Sequence, residues 1–155
     1  MPSEESLVAD HVMEFPGGYT RSLGPVIGRF LTGLRDGRFL GVRRADGWVL
    51  VPPAEYDPDT GAALGADDAD FVEVGPAGVV ETWAWVPEPR AKHPLDRPFA
   101  WALIRLDGAS TALLHAVGAE RAAMRTGMRV RPAWREERTG SVLDVACFVP
   151  EGSDE

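Results

Sequence analysis

Cysteine is almost absent from this 155-residue chain, and lysine is equally scarce. The one cysteine, Cys147, excludes an internal disulfide and any zinc site built from cysteines. Strand alternation in the surrounding stretch predicts that Cys147 is a small buried residue on one face with Leu143, Val145 and Val149. So little cysteine fits a reducing, cytoplasmic setting.

Long apolar runs are missing too. No stretch approaches the roughly 20 apolar residues that span a bilayer, and the acidic N-terminus lacks the basic and apolar regions of a signal peptide. The chain has 24 acidic against 16 basic residues, a formal net charge of −8. Such a charge repels nucleic acid and anionic membranes unless a local basic patch overrides it. We therefore expect a cytoplasmic protein that binds neither a membrane nor nucleic acid.

The common catalytic motifs are also absent. The chain has no G-x-S-x-G nucleophile elbow, no G-x-G-x-x-G turn and no phosphate-binding P-loop. None of the histidines His11, His93 and His115 has a partner at metal-ligand spacing. His115 falls in an apolar strand pattern, which is typical of a structural histidine, and no base stands near Cys147 in the sequence. The sequence predicts no catalytic residue and no metal site.

An amphipathic helix is predicted near the N-terminus, after a loose arm of residues 1–22 that contains proline and glycine breakers. Pro25 suits the first helical position, and Gly37 suits the end of the helix. Apolar residues recur at helical spacing along one face. Such a stripe fits either the protein's own core or the surface of a partner, and the sequence does not choose between them. The stripe contains Val26, Ile27, Phe30, Leu31 and Leu34.

Beyond the helix the pattern changes to short β-strands separated by turn residues. Two strands flank a turn at 45–47, and the later strands predict a small closed barrel with a tight hairpin at Asp107-Gly108. Alternation places Trp83 and Trp85 on one face with Val79, as core residues. The barrel strands are predicted within 71–74, 78–87, 99–106, 110–117 and 128–134 together with 141–149, and a short helix or turn at 120–126.

Two turns have the outline of a zinc knuckle without its cysteines. A knuckle has the pattern C-x-x-C-G, and the stretches RRADG (43–47) and DPDTG (57–61) keep its length and its final glycine. The acidic stretch 54–70 lacks the alternating oxygens and the terminal Glu of an EF-hand calcium loop. We therefore interpret this acidic stretch as a solvated loop.

A loop between two predicted strands, residues 88–97, carries a cluster of basic side chains among its prolines. Stiff loops that hold cations suit anionic ligands such as the phosphates of a nucleotide or of coenzyme A. An ordinary solvated loop is the alternative, because exposed cations need no ligand. A second basic run, at 121–138, is interpreted as a polar edge of the barrel. The candidate loop residues are Arg90, Lys92, His93 and Arg97.

In this order, the segments resemble the zinc-ribbon and OB-fold proteins that accompany thiolases, the family called domain of unknown function 35. The resemblance runs from about residue 23 to residue 150. The stretch GRFLTGLRDGRFLGVRRADG is similar to the family's entry helix and first knuckle, and VPPAEYDPDTG is similar to its linker and second knuckle. The stretches RPFAWALIRLDGASTALLHAV, TGMRVRPAW and LDVACFVP are similar to its barrel hairpin, its Gly-Met-x-Val strand and its closing strand.

The resemblance implies a mainly β fold. An N-terminal amphipathic helix and a metal-free, zinc-ribbon-like segment of the rubredoxin type would precede a five-stranded OB-fold barrel. The implied segments are the arm and helix at 1–37, the degenerate ribbon at 38–70, the OB-fold domain at 71–150 and an acidic tail at 151–155.

The departure from the family lies at the metal. The family's knuckle cysteines fall on Arg43, Asp46, Asp57 and Thr60, and these residues make a poor structural zinc site because arginine does not ligate zinc. We therefore expect a metal-free ribbon. Asp46 and Asp57 are suited to cap the turns by accepting backbone N–H groups. Arg43 is expected to pair with one of them, which would contribute about 0–1 kcal/mol if the pair is exposed.

The resemblance also implies a non-catalytic partner of a thiolase-like enzyme, an aldolase or acyltransferase that acts on acyl-CoA thioesters, with steroid side-chain degradation as one setting. It implies a hetero-oligomer such as a heterotetramer, with no cofactor on this chain and a coenzyme A thioester as the substrate of the complex. Two alternatives stay open. One is an OB fold that binds single-stranded nucleic acid on Trp83, Trp85 and Trp101, and the other is a stand-alone acyl-CoA thioesterase.

Overall fold

The computed structural model describes residues 12–15 and 19–153 of the chain. Its first elements are strands β1 (Val12–Phe15) and β2 (Tyr19–Ser22), which pair antiparallel. The prediction of a loose arm over residues 1–22 is therefore wrong at residues 12–15 and 19–22, which form strands. The rest of that arm up to residue 18, including His11, and residues 154 and 155 of the predicted acidic tail lie outside the described residues.

Helix α1 (Pro25–Arg35) begins and ends close to the predicted residues. Pro25 occupies its first position, where the missing N–H of proline has no hydrogen bond to lose. Gly37 follows the end of the helix with φ 75°, a conformation that favours glycine over residues with a side chain. The local sequence thus sets both ends of this helix.

Residues far away in the sequence complete the hydrogen bonds at the ends of α1. Glu55 accepts the backbone N–H groups of Val26 and Ile27 at 3.0 and 2.9 Å. Arg138 donates from Nε to the carbonyl oxygen of Arg35 at 2.9 Å. These bonds satisfy backbone N–H and C=O groups that have no partner within the helix at its termini. They also attach the start of α1 to Glu55 and its end to Arg138.

Three short strands form the ribbon-like sheet: β3 (Phe39–Arg43), β4 (Val49–Leu50) and β5 (Phe71–Val74). The strand β3 lies in the middle and pairs antiparallel with both neighbours. The sequence places residues 71–74 among the barrel strands, and this is wrong because β5 hydrogen-bonds to β3. A strand of four residues takes its partner from long-range packing, which its own pattern does not reveal.

Five strands close into a barrel in the order β10–β8–β7–β6–β9, with β10 and β8 parallel and the other neighbours antiparallel. The predicted turn at Asp107-Gly108 is present, but the connection continues to residue 112 before β8 begins. A mainly β fold with an OB-type barrel and an N-terminal helix is thus confirmed. The strands are β6 (Gly78–Val86), β7 (Phe99–Leu106), β8 (Leu113–Val117), β9 (Arg129–Trp134) and β10 (Val145–Pro150), and short 3₁₀ turns lie at Asp68–Asp70, Arg121–Ala123 and Val142–Asp144.

A β-bulge in β6 decides which residues face the barrel interior. The register with β7 shifts between Val80 and Thr82, so one extra residue is inserted there. As a result Trp83 and Trp85 pack against the interior core with Val80. Both tryptophans are half-buried at the margin of the core, and the predicted shared face with Val79 is wrong.

A second bulge, in β10, has the same effect on Cys147. The register with β9 shifts between Val145 and Cys147. Cys147 is buried as predicted and packs with Val149 in a cluster on the outer side of the barrel. Val145 belongs to the interior core instead, and Leu143 is 46% exposed in the preceding turn, so these two residues do not share the face of Cys147.

The apolar stripe of α1 packs inside the chain. Val26, Phe30, Leu31 and Leu34 are between 1% and 6% exposed, and all of these except Val26 join the same core as the barrel interior. Ile27 is half-buried against that core. Of the two interpretations of the stripe, the structure therefore supports packing in the protein's own core. The side chains of the stripe do not form an open surface. No helix of the described residues is long and apolar enough to cross a membrane.

Candidate functional site

The first knuckle-like turn connects β3 to β4. The backbone N–H of Arg44 donates to the carbonyl oxygen of Trp48 at 2.7 Å, and Gly47 donates back to Arg44 at 3.0 Å. Gly47 has φ 91°, which a residue with a side chain rarely adopts. Oδ1 of Asp46 accepts the N–H of Trp48 at 3.0 Å, so Asp46 caps the turn as the sequence predicts.

The second knuckle-like turn is the tip of a small hairpin between Asp57 and Ala62. The backbone N–H of Asp57 donates to Ala62, and Gly61 donates to Asp57, both at 2.8 Å. Oδ1 of the buried Asp57 carboxylate accepts the N–H groups of Asp59 at 2.8 Å and Thr60 at 3.3 Å. These backbone donors, first that of Asp59, hold the pKa of Asp57 below its ordinary value.

Arg44 joins the two turns. Its Nε lies 3.2 Å from Oδ2 of Asp57, and its Nη2 lies 3.4 Å from Oδ2 of Asp46 and also donates to Asp59. The Arg44 side chain is only 14% exposed. The hydrogen bond to Asp59 is the largest effect that raises the pKa of Arg44, so the guanidinium stays charged. The sequence predicts this ion pair for Arg43, and that is wrong by one residue, since Arg43 is exposed.

A zinc ion does not fit the residues at these turns. Of the four positions at which the resemblance predicts cysteines, Arg43 is a cation and Thr60 offers a hydroxyl, which leaves the two carboxylates of Asp46 and Asp57. Oxygens of both carboxylates already accept backbone N–H groups, and the Arg44 guanidinium lies between them. No group of His, Cys, Asp and Glu side chains within the described residues is arranged to hold a metal ion.

The basic loop at 88–97 is anchored by His93. The backbone N–H of Arg90 donates to Nδ1 of His93 at 3.0 Å, and the ring of His93 meets Phe99 and Trp101 edge-on, with centroids 5.5 and 6.2 Å apart. His93 therefore packs against the outer face of β7. The side chains of Arg90, Lys92 and Arg97 are exposed to solvent. The structure therefore brings His93 and Arg90 together, and it leaves the exposed Lys92 on the outside of the loop.

Arg97, the last basic residue of the loop, borders an open cleft of about 490 Å³. A side chain at Gly118 would place its Cβ 3.1 Å from Nη2 of Arg97, so the guanidinium passes directly over this glycine. The half-buried Trp85 and Pro150 add apolar walls. The cleft thus places the Arg97 cation beside flat apolar surfaces, and Glu120 adds a carboxylate to the same lining.

The side chains considered for catalysis are buried. Nε2 of the buried His115 lies 3.1 Å from the carbonyl oxygen of Val142, and its Nδ1 accepts the N–H of Ala116 at 2.8 Å. Burial lowers the pKa of His115. Cys147 is buried in the outer cluster with Phe99. The half-buried Trp101 packs against the same cluster beneath His93.

An exposed apolar patch on the barrel was not predicted from the sequence. Leu103 and Leu114 face each other across β7 and β8, and they are 37% and 61% exposed. Val142 and Leu143 are about half exposed in the nearby 3₁₀ turn, and Leu114 and Val142 line the same small apolar cavity. Alternation could have revealed Leu103 and Leu114, because both fall between inward-facing residues of their strands. We name Leu103, Leu114 and Val142 the leucine-valine patch; Leu143 lines a separate cleft with Arg135 and Glu137.

Comparison with known proteins finds a family model that matches most of the barrel. Residues 71–135 match the family model of the ChsH2 C-terminal OB-fold domain. No curated protein matches the chain by sequence. The solved structure titled Ltp2-ChsH2(DUF35) aldolase contains a chain that is 20% identical, with a TM-score of 0.60 over 84% of this chain and 98% of that chain.

A second solved structure is similar over a smaller part of the chain. It is a DUF35-family protein of unknown function from Sulfolobus solfataricus, 20% identical, with a TM-score of 0.55 over 70% of this chain and 78% of that chain. The family-model match and the two structural matches agree on the architecture that the strand order shows. Residues 71–135 are therefore similar to the ChsH2 C-terminal OB-fold domain, and the chain as a whole shares its fold with two solved structures of DUF35 proteins.

Proposed function

We propose that this chain is a non-catalytic accessory subunit of an enzyme complex whose catalytic subunit is a thiolase-like aldolase or acyltransferase. One observation carries the proposal. The chain shares its fold with nearly the whole length, 98%, of a chain in the Ltp2-ChsH2(DUF35) aldolase structure. The match is therefore to a complete chain of an enzyme assembly and extends well beyond the barrel, which occurs in proteins of many functions.

The chemistry of the described residues supports an accessory role. His115 is committed to two backbone hydrogen bonds, and Cys147 is covered by apolar neighbours. Both side chains are buried, at 7% and 5% exposed, so neither is open to a substrate as a nucleophile or base must be. A stand-alone thioesterase is therefore disfavoured by the geometry, and no observation favours the nucleic-acid alternative.

The leucine-valine patch is the surface we assign to the catalytic subunit. Exposed apolar side chains that lie together commonly mark protein interfaces, whose centres are more apolar than their rims. The patch also has a small cavity between Leu114 and Val142 that a partner side chain could fill. It replaces helix α1 as the candidate interface, because α1 is covered by the chain's own core.

The basic loop is the part of this subunit that we assign to the acyl-CoA substrate. Coenzyme A carries several phosphate charges, and Arg90, Lys92 and Arg97 are exposed cations on a loop that His93 holds in place. The cleft beside Arg97 offers apolar walls next to the charge. A steroid side chain is one acyl group that such a complex would process, and a heterotetramer is the assembly we expect.

Co-expression tests the proposed function. The chain should be produced with each thiolase-type subunit of its source organism and analysed by size-exclusion chromatography with light scattering. We expect a stable hetero-oligomer with one of them, and aldol cleavage or acyl transfer on acyl-CoA only in that complex. Full activity of the thiolase-type subunits without this chain, together with no complex, would contradict the proposal.

A further inference from the structure

In a zinc ribbon an ion joins the two turns, and the side chains at the two knuckle-like turns of this protein do not suit zinc. Two hairpin tips, at 44–48 and 57–62, approach each other without a disulfide or a metal-ligand group among the described residues. Backbone hydrogen bonds close each tip separately. The bonds within one tip do not hold it against the other, so some other contact must join them.

Arg44 supplies that contact. It is bound to the first tip by its own backbone, through hydrogen bonds to Trp48 and Gly47. Its guanidinium reaches across to Asp57 and Asp59 of the second tip, and it also contacts Asp46 of its own tip. A guanidinium has five N–H donors in a fixed plane, so it can bind several carboxylates at once in a defined geometry.

We propose that Arg44 takes the place of the zinc ion as the cross-link between the two turns. The guanidinium lies among Asp46, Asp57 and Asp59 as a central cation among anionic groups, which is the arrangement of charges that a metal site also has. The two carboxylates at predicted ligand positions, Asp46 and Asp57, change from potential metal ligands to acceptors for this cation. The ribbon consequently needs neither metal nor thiolate, and neither chelators nor oxidants should open it.

The cross-link also positions Glu55, which caps helix α1. Glu55 lies at the base of the second hairpin, where its carbonyl oxygen accepts the N–H of Leu64 at 2.9 Å. From there its carboxylate reaches the N–H groups of Val26 and Ile27. Loss of the Arg44 contact at the tip should therefore loosen the hairpin and weaken the cap of α1. Arg44 is in this sense a positioning residue for the start of the helix.

Hydrogen exchange of the full-length protein tests the cross-link, and Arg43 provides a matched control at the neighbouring position. In Arg44→Gln, the amides of 57–62 and those of Val26 and Ile27 should exchange about tenfold faster, as expected when a hydrogen bond to a charged group is lost. Amides of the barrel strands should be unchanged. Arg43→Gln should match the wild type, because Arg43 is exposed.

Two further measurements complete the test. Elemental analysis of the purified protein should give zinc well below one equivalent, and EDTA should leave the exchange of 57–62 unchanged. If Arg44→Gln does not fold, Arg44→Lys is compared with Arg43→Lys by the same exchange, since lysine keeps the charge without the planar fork. Equal exchange in the Arg44 and Arg43 variants, or stoichiometric zinc whose removal opens the turns, would overturn the proposal. Either outcome is independent of whether the chain has an enzyme partner.

Discussion

His115 is a buried histidine whose ring nitrogens are both engaged by the backbone. Its Nδ1 accepts the N–H of Ala116, so the proton of the neutral ring lies on Nε2 and is donated to the carbonyl oxygen of Val142. A second proton would remove the acceptor for Ala116 and place a charge in the barrel interior beside Phe148. Burial is the cause that lowers its pKa below 6.5.

This histidine should make the protein less stable in mild acid. The folded state favours the neutral ring. The contribution of His115 to the free energy of unfolding is therefore complete above the unfolded pKa of 6.5, and it is lost as the pH falls through the lower folded pKa. Denaturant unfolding between pH 7 and pH 4.5 should show this loss, and His115→Gln should lack that component. The half-buried His93 on the outer face serves as the control, through His93→Gln. An NMR titration that gives His115 a pKa at or above 6.5 would contradict the assignment.

Arg43 and Arg44 show that a sequence pattern can predict a turn without predicting which side chain makes the contact across it. The resemblance to C-x-x-C-G predicts a ligand position at residue 43, and the turn is present where that pattern puts it. Which of two adjacent arginines points to the second turn depends on the twist at the end of β3 and on a hairpin 13 residues away. That contact is long-range, so the sequence indicates the turn correctly and the pairing residue wrongly.

At the scale of elements, helix α1 is a structural part of the core. Phe30 is 6% exposed and packs with the ribbon and the barrel. Replacing it with aspartate would leave a cavity and bury a charge, so we expect a loss of about 4 kcal/mol or more in the free energy of unfolding. For a chain of this size that corresponds to a melting temperature lower by about 10 °C.

Asp36→Ala is the matched control for this prediction, because Asp36 is exposed at the end of the same helix. Its melting temperature should lie close to that of the wild type. A Phe30→Asp protein that melts like this control would show that the helix is not part of the core, and would return α1 to consideration as a docking surface.

The basic loop gives a second prediction at this scale. In the active complex, replacing Arg90, Lys92 and Arg97 together by alanine should raise KM for the acyl-CoA about tenfold or more, because charge-assisted contacts to phosphate are lost. The effect should shrink at high salt, since exposed charges are screened. A triple variant of three arginines at the barrel edge, Arg121, Arg125 and Arg135, is the charge-matched control.

Unchanged kinetics in the loop variant would make the loop an ordinary solvated segment. His93 stays in place in this experiment, since its contacts with Phe99 and Trp101 hold the loop on the barrel. Loss of affinity in both triple variants would indicate a general effect of net charge.

The elements also differ in how far their sequences determine them. The helix could be predicted because Pro25, the apolar period and Gly37 are all local signals. The bulge between Val80 and Thr82 could not, since strand alternation assumes an unbroken register. The partner of β5 is a further long-range choice, made by packing against β3.

At the scale of the whole molecule, one core crosses the boundaries between the predicted segments. It contains Leu34 from the helix, Phe39 and Val51 from the ribbon, and Ile104 and Phe148 from the barrel. The ring of Phe39 stacks on that of Phe148 with centroids 6.0 Å apart. The sequence suggests a helix, a ribbon and a barrel in series, whereas the packing makes them parts of one core.

The leucine-valine patch carries the prediction about assembly. Leu114→Asp should prevent formation of the hetero-oligomer, because it puts a charge at the centre of an apolar interface. Its melting temperature should change little, because Leu114 is 61% exposed in the isolated chain. Tyr56→Asp is the matched control, since Tyr56 is equally exposed but lies on the second knuckle hairpin.

Complex formation by Leu114→Asp at wild-type affinity would place the interface elsewhere. If Tyr56→Asp were the variant that failed, the interface would lie on the ribbon turns around Asp46 and Asp57. The two variants therefore distinguish the barrel face from the ribbon.

The most direct test of an accessory role is the activity of the thiolase-type subunit measured with and without this chain. The subunit that co-elutes with the chain should be assayed for acyl-CoA cleavage or acyl transfer, alone and after stoichiometric addition of the purified chain. We predict little activity from either protein alone and full activity at a one-to-one ratio of the two chains. Activity of the thiolase-type subunit that is complete without this chain, or measurable turnover by this chain alone, would contradict the proposed function.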